Sequence, residues 1–116
     1  MKLKSLIIDR RLFWSDWNRN GPRIEAANLD GSNRMSLVDN LVGKPNSLIL
    51  DFQRYQLCWT DGGSSQRYDR PEVQPKIECM NMNGGGRRPL LTLEKGQIPY
   101  GIALTPNNVF YTDWTR

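Results

Sequence analysis

Three aspartates stand in near-identical surroundings. Asp16 lies in "LFWSDW" (12–17), Asp61 in "LCWTDG" (57–62) and Asp113 in "VFYTDW" (109–114). Carboxylates that converge within a few ångströms can hold a divalent cation or divide acid and base roles. A second candidate is "KIECMNMNGGGRRPLL" (76–91), where Gly84, Gly85 and Gly86 precede Arg87 and Arg88 and read as an anion cradle. A third is Cys58 with Cys79, the two cysteines of the chain. There is no histidine, which removes the commonest general base and metal ligand. It also argues against Ser-His or Cys-His nucleophile chemistry.

The elements that must position these residues repeat. Each aspartate segment reads aliphatic, Phe or Cys, aromatic, Ser or Thr, Asp, and the aromatics Trp14, Trp59 and Tyr111 are 45 and then 52 residues apart. "RIEAANLDGSNR" (23–34) aligns without a gap on "KIECMNMNGGGR" (76–87) at an offset of 53. A third motif, "GKPNSLILD" (43–51) and "GQIPYGIALT" (96–105), precedes the later aspartate segments, and "MKLKSLIID" at the start resembles it at an offset of 42. The order is fixed, and each segment is short and rich in β-branched and aromatic residues. Asp30-Gly31 and Asn83-Gly84 are strong turn signals. No 3.6-residue period is sustained, so little helix is expected.

Four strands in about 42–45 residues is the period of a β-propeller blade. The first blade (1–42) is expected to hold strands near 3–9, 12–17, 23–29 and 34–38. The second (43–95) should hold strands near 46–51, 56–61, 76–82 and 88–92. A half blade (96–116) should hold strands near 99–105 and 109–114. "SSQRYDRPEVQP" (64–75), polar and with two prolines, reads as a surface loop. Two and a half blades cannot close a ring, so edges are expected to remain exposed. The chain is therefore expected to be a fragment or truncated gene model that blades from the rest of a parent chain complete.

The repeat reinterprets the three candidates. Symmetry sets Asp16, Asp61 and Asp113 one blade apart, so each is expected to bind nearby donors and lock strands rather than share a metal. Trp14, Trp59 and Tyr111 are then inter-blade core. The glycines match Asp30-Gly31-Ser32-Asn33 and become a hairpin turn, and Arg87 matches Arg34 as scaffold. A phosphate loop should instead open into a helix, whereas Pro89 and a strand-like run follow here. Cys58 and Cys79 fall on neighbouring antiparallel strands. If the register sets them opposite, they lie near disulfide geometry; two reduced buried thiols are the other possibility, and an oxidising compartment favours the bond.

The net charge is +4 with no basic block longer than two residues, unlike a nucleic-acid-binding face. No apolar run approaches the roughly 18 residues of a membrane span, so no membrane insertion of this segment is expected. The N-terminus lacks the apolar core and cleavage site of a signal peptide. Asn-x-Ser/Thr acceptors are absent.

The "WSDW/WTDG/YTDW" segments, with "RIEAANLDG" and "KPNSLILD", resemble the tyrosine-tryptophan-threonine-aspartate repeats of the low-density lipoprotein receptor class B family. The resemblance covers essentially the whole chain. It implies an all-β fold, a partial six-bladed β-propeller, in an extracellular or receptor protein. "LCWTDGG", "KIECMNMNGGGRRPLL", "IPYGIAL" and "FYTDW" are most similar to the nidogen-type members, which also carry a cysteine in each of two central strands of one blade. That likeness implies a non-enzymatic basement-membrane module binding laminin, with no cofactor. Propellers of lipoprotein or Wnt co-receptor ectodomains share most of the motifs and are the alternative.

Three positions depart from the pattern. Asp9 reaches Leu12 across two residues, Gly62 replaces the tryptophan found at Trp17 and Trp114, and Lys4 stands where Asn46 does. In a meander blade, turns alternate between two faces. The second-to-third-strand turn therefore opens on the same face as the link to the next blade. Arg23, Glu25, Lys76 and Glu78 follow the first kind of connection, and Lys44, Asn46, Ile98 and Tyr100 sit at the second. All are expected to converge on that face near the central channel, where Arg23, Glu25, Asn46, Glu78 and Tyr100 are expected to contact a protein partner.

Overall fold

The structure is a computed structural model that describes the main chain of residues 3–8 and all of residues 10–18 and 21–114. Among the described residues there are ten strands. The first four are β1 (Leu3–Ile8), β2 (Arg11–Asp16), β3 (Arg23–Asn28) and β4 (Met35–Val38). Then follow β5 (Pro45–Asp51), β6 (Gln56–Asp61), β7 (Lys76–Asn81) and β8 (Arg88–Thr92). The last two are β9 (Pro99–Leu104) and β10 (Val109–Asp113). Every strand ends within one residue of the position its repeat predicts. Asp9 and the side chain of Lys4 lie outside the described residues.

Pairing is antiparallel throughout, in two four-stranded meanders, β1-β2-β3-β4 and β5-β6-β7-β8, and a two-stranded sheet of β9 and β10. This is a partial β-propeller. The glycine signals act as turns: Gly31 and Gly84 take φ of 87° and 100°, a region open to glycine. Their N–H groups bond back to Asn28 O at 2.8 Å and Asn81 O at 2.9 Å.

Residues opposite one another across a ladder share a face. In the first blade Phe13 pairs with Ala26 and Ser15 with Ile24. In the second, Leu57 pairs with Met80 and Trp59 with Glu78. The apolar members of both sets, joined by Val38 and Leu48, form one buried cluster, so the core is the seam between the two meanders. Fully burying one such side chain contributes about 1.5–3 kcal/mol.

The same alternation places Trp14 opposite Glu25 on the outer flank of the first blade. The three aromatics expected in the inter-blade core are buried to different degrees. Trp59 is 0% exposed inside the seam. Trp14 and Tyr111 are only half-buried, because the sheet faces that carry them are less completely covered.

Cys58 and Cys79 occupy the register that Phe13 and Ala26 occupy in the first blade. They are direct partners, with Cα atoms 4.0 Å apart and their sulfurs joined in a disulfide. The bond fills the space that a large and a small apolar side chain fill in the preceding blade. It is buried on both sides.

Candidate functional site

The aspartates explain how the sheets are joined. Asp61 is 0% exposed. Its carboxylate accepts the main-chain N–H of Gly43 at 3.0 Å, of Lys44 at 2.8 Å and of Gly63 at 2.7 Å. The end of β6 thus grips the link that enters its own blade. Asp113 does the same one repeat later: it accepts Ile98 N–H at 3.0 Å and the Gln97 side-chain amide at 3.0 Å. Asp16 accepts Asn18 N–H at 3.0 Å and lies 3.7 Å from Arg23. The structure keeps the three apart, each committed to local donors. Among the described residues no group of three His, Cys, Asp or Glu side chains could hold a metal ion.

At Gly43 the link passes so close to the next connection that an added Cβ would lie 2.4 Å from the Gly63 carbonyl carbon. Glycine is required there by space.

The two glutamates form a matched pair of ion clusters. Glu78 receives Arg87 Nε at 3.0 Å and Nη2 at 2.8 Å, with Lys76 Nζ at 3.6 Å. Both cations reach on to the inter-blade link. Arg87 donates to Asn40 O at 2.8 Å and Leu41 O at 2.9 Å, and Lys76 donates to Leu41 O at 2.8 Å. Leu41 has φ 52°, a conformation costing a non-glycine residue about 1–2 kcal/mol. The two donors offset that cost at its carbonyl. In the first blade Glu25 bonds Arg34 at 2.6 Å and also pairs with Arg23. The Arg34 hydrogen bond holds the Glu25 carboxyl below the usual range against the opposing effect of burial, and Arg23 adds to the lowering. Glu25 in turn raises Arg34.

Asn46 is 3% exposed and donates from Nδ2 to Pro99 O at 3.0 Å. Thr60 Oγ1 donates to Tyr100 O at 2.7 Å and accepts Ser47 N–H at 3.2 Å. Together they stitch β5 and β6 to β9. Tyr100 is half-buried and stacks on Trp114 with ring centroids 4.6 Å apart and planes 10° from parallel. The repeat aligns Asn46 with Tyr100 and Gly62 with Trp114. A Cβ added at Gly62 would lie 3.5 Å from the Asn46 amide nitrogen and 3.5 Å from Lys44 Cβ, ordinary contact distances. The pair is small in one blade and large in the next.

One face is hollowed. Trp17 and Pro22, with residues of the connections 39–44, 62–75 and 95–98, line a cavity of about 980 Å³. The alternation of turns predicted that these connections share a face. Lys44 and Ile98, which the topology sets on this face, line the hollow, whereas Arg23, Glu25, Asn46, Glu78 and Tyr100 do not. Glu25 and Glu78 are 4% and 5% exposed with their oxygens occupied by cations, so these two and Asn46 hold the scaffold beneath the face. Arg23 is half-buried against Asp16 and Glu25. The physical reason is that strand residues inside the blade are covered by neighbouring sheets, whereas the connections stand above them.

The lining carries the cations Lys44, Arg67, Arg70 and Lys95 against the carboxylates Asp39 and Glu72. Trp17, with Lys44 Nζ 5.7 Å from its ring centroid, and Ile98 add apolar surface. Sequence reasoning treated 64–75 only as surface. The proline-bearing insertion between two paired strands was the signal that it could wall a site.

Residues 10–52 match the family described as low-density lipoprotein receptor repeat class B. Protein cueball of Drosophila ananassae is 30% identical over 109 residues, which is 94% of this chain and 16% of that protein. Protein cueball of Drosophila sechellia is 29% identical over 106 residues, 91% of this chain and 15% of the relative. The chain thus spans a small part of the length of these curated relatives. A chain in the crystal structure of a nidogen/laminin complex superposes with a TM-score of 0.70 at 35% identity, covering 90% of this chain and 35% of that one. Repeat, strand order and superposition agree: the chain is a partial β-propeller of the low-density lipoprotein receptor class B repeat family, nidogen-like in fold.

Proposed function

We propose that the chain is part of a non-enzymatic, extracellular protein-binding propeller that captures a laminin-type partner in basement membrane. The observation that carries this reading is the likeness, over 90% of the chain, to a chain of a nidogen/laminin complex. The hollow face supplies the surface. Its excess of cations suits a partner loop that presents a carboxylate, and Trp17 and Ile98 suit an adjoining apolar side chain. The commitment of Asp61 and Asp113 to main-chain donors supports a binding role over acid-base chemistry.

The match of residues 10–52 to a receptor repeat supports a second reading, a receptor ectodomain propeller that binds another protein ligand. Titrating immobilised full chain with laminin short-arm fragments separates the two. Saturable binding that weakens with salt is the expected result; none with laminin, but saturation by a lipoprotein-receptor ligand, selects the receptor reading.

A further inference from the structure

Phe13 and Phe110 hold the same place in the repeat, in "LFWSD" (12–16) and "VFYTD" (109–113). Phe13 is 1% exposed and Phe110 is 56% exposed. The difference lies in what covers each flank. Phe13 packs in one cluster with Leu48, Leu57, Trp59 and Met80 of the second blade. Phe110 and its ladder partner Ala103 lie on the matching flank of the last sheet, and both are exposed.

The chain itself shows what seats on such a flank. β5 lies against β1 and β2, and β9 lies against β5 and β6, so each blade lays its inner strands on the flank of the blade before. The residues that cover Phe13 have counterparts in the first blade. The repeat aligns Leu12 with Leu57, Trp14 with Trp59 and Ala27 with Met80. Leu57 and Trp59 are 0% exposed, whereas Leu12 and Trp14 are only half-buried on the outer flank of the first blade. The molecule therefore carries both halves of its own seam, at opposite ends of the row of sheets, and both are open. The polar contacts match too. Thr60 accepts Ser47 N–H at 3.2 Å and donates to Tyr100 O of the next blade at 2.7 Å. Thr112, exposed on the Phe110 flank, accepts Gly101 N–H at 2.8 Å in the same way, which leaves its hydroxyl hydrogen for a strand laid against it. The repeat aligns Lys4 of β1 with Tyr100, so the Lys4 carbonyl is the matching acceptor.

We infer that two copies of this chain pair head to tail, the Leu12–Trp14 flank of each seated on the Phe110 flank of the other. Closure limits the number of copies. Each chain supplies three inner strands, β1, β5 and β9, one for each blade position. Propellers close with about four to eight blades. One copy falls short of that range, two copies fall within it, and three exceed it. A head-to-tail contact that closes makes a ring, and one that does not makes an open filament. Two copies about a two-fold axis make two identical seams and leave neither flank open.

The test is sedimentation equilibrium of the full chain over a concentration series, with far-UV circular dichroism as the check on folding. The expected mass is twice the 13.4 kDa of one chain, with no larger species. Phe110→Asp and Leu12→Lys should each weaken pairing by at least about thirtyfold, with unchanged circular dichroism. Mixing the two variants should restore pairs. The Leu12→Lys chain keeps an intact Phe110 flank, the Phe110→Asp chain keeps an intact Leu12 flank, and the second seam sets Lys against Asp. Phe52→Ala, on the β5–β6 turn of the middle blade, should pair as the unsubstituted chain does. An unsubstituted chain that stays single at every concentration would overturn the inference and leave these flanks to further blades of a longer parent. Pairing that Phe110→Asp abolishes and Leu12→Lys leaves unchanged would also overturn it, because that flank would then meet itself. So would a mass that keeps growing with concentration, as an open filament does.

Discussion

Arg87 lays Nε and Nη2 across both oxygens of Glu78, at 3.0 and 2.8 Å, and then reaches the carbonyls of Asn40 and Leu41. A residue of the second blade is thereby oriented by its own sheet to hold the link from the first. Side-chain exposures of 7% for Glu78 and 23% for Arg87 mean that removing one partner leaves a poorly solvated charge. Glu78→Gln is expected to cost about 2–3 kcal/mol. The double variant Glu78→Gln/Arg87→Met should recover part of the loss, because both charges are then gone. Urea unfolding of the four chains in a double-mutant cycle checks this.

Asp61 gives the sharpest contrast between repeats. Asp61→Asn replaces a buried carboxylate that accepts three main-chain N–H groups and should cost about 2–4 kcal/mol. Asp16 accepts one main-chain N–H among the described residues, and Asp16→Asn should cost less, about 1 kcal/mol. Equal losses in urea melts would contradict the assignment of Asp61 as the lock on the link.

This difference also shows how far the sequence could be read. The aspartate repeat located all ten strands, because strand length, turn chemistry and blade period agree at every level. That the two cysteines fall on neighbouring antiparallel strands was likewise legible, whereas the register that sets them opposite is fixed by the cross-strand pairing of β6 with β7, which no alignment of repeats encodes. The site was less legible. Glu25, Glu78 and Asn46 occupy the right face by topology, yet polar residues there serve partners three-dimensionally close and far apart in sequence. Asn46 binds Pro99 and Arg87 binds Asn40, distances along the chain that no local pattern encodes. The wall built by 62–75 was hidden because a loop's polarity says that it meets water and not what it encloses.

Acid should weaken the fold through Glu25 and Asp51. Arg34 and Arg23 outweigh burial at Glu25. At Asp51, burial alone would raise the pKa, but Arg54 and Gln56 together lower it. Both groups are depressed on folding, so the unfolded chain binds more protons in the acid range. Their contribution is complete above the ordinary values of 4.5 and 3.8 and is lost as pH falls through the lower folded values. Glu25→Gln should flatten the rise of unfolding free energy with pH in that window. A slope unchanged from the parent chain would contradict the ion cluster.

The disulfide closes a loop with a sequence separation of 21. The chain-entropy estimate for such a loop is about 3 kcal/mol. Cys58→Ala/Cys79→Val, which keeps apolar side chains at this register, should lower stability by about that amount and lower the thermal midpoint. The native bond, 0% and 1% exposed at its cysteines, should resist reductant until the chain unfolds. Rapid reduction in native buffer would contradict the buried placement.

The central claim is that the hollow face binds the partner. Its most direct test is the affinity of the full chain for laminin short-arm fragments, compared between Lys44→Glu and Phe52→Ala. Lys44 lines the hollow, whereas Phe52 is 68% exposed on the β5–β6 turn at the opposite end of the strands. The account predicts at least about a tenfold weaker Kd for Lys44→Glu, a loss of about 1.4 kcal/mol, and an unchanged Kd for Phe52→Ala. Equal affinity in Lys44→Glu and the parent chain, with loss in Phe52→Ala, would contradict it.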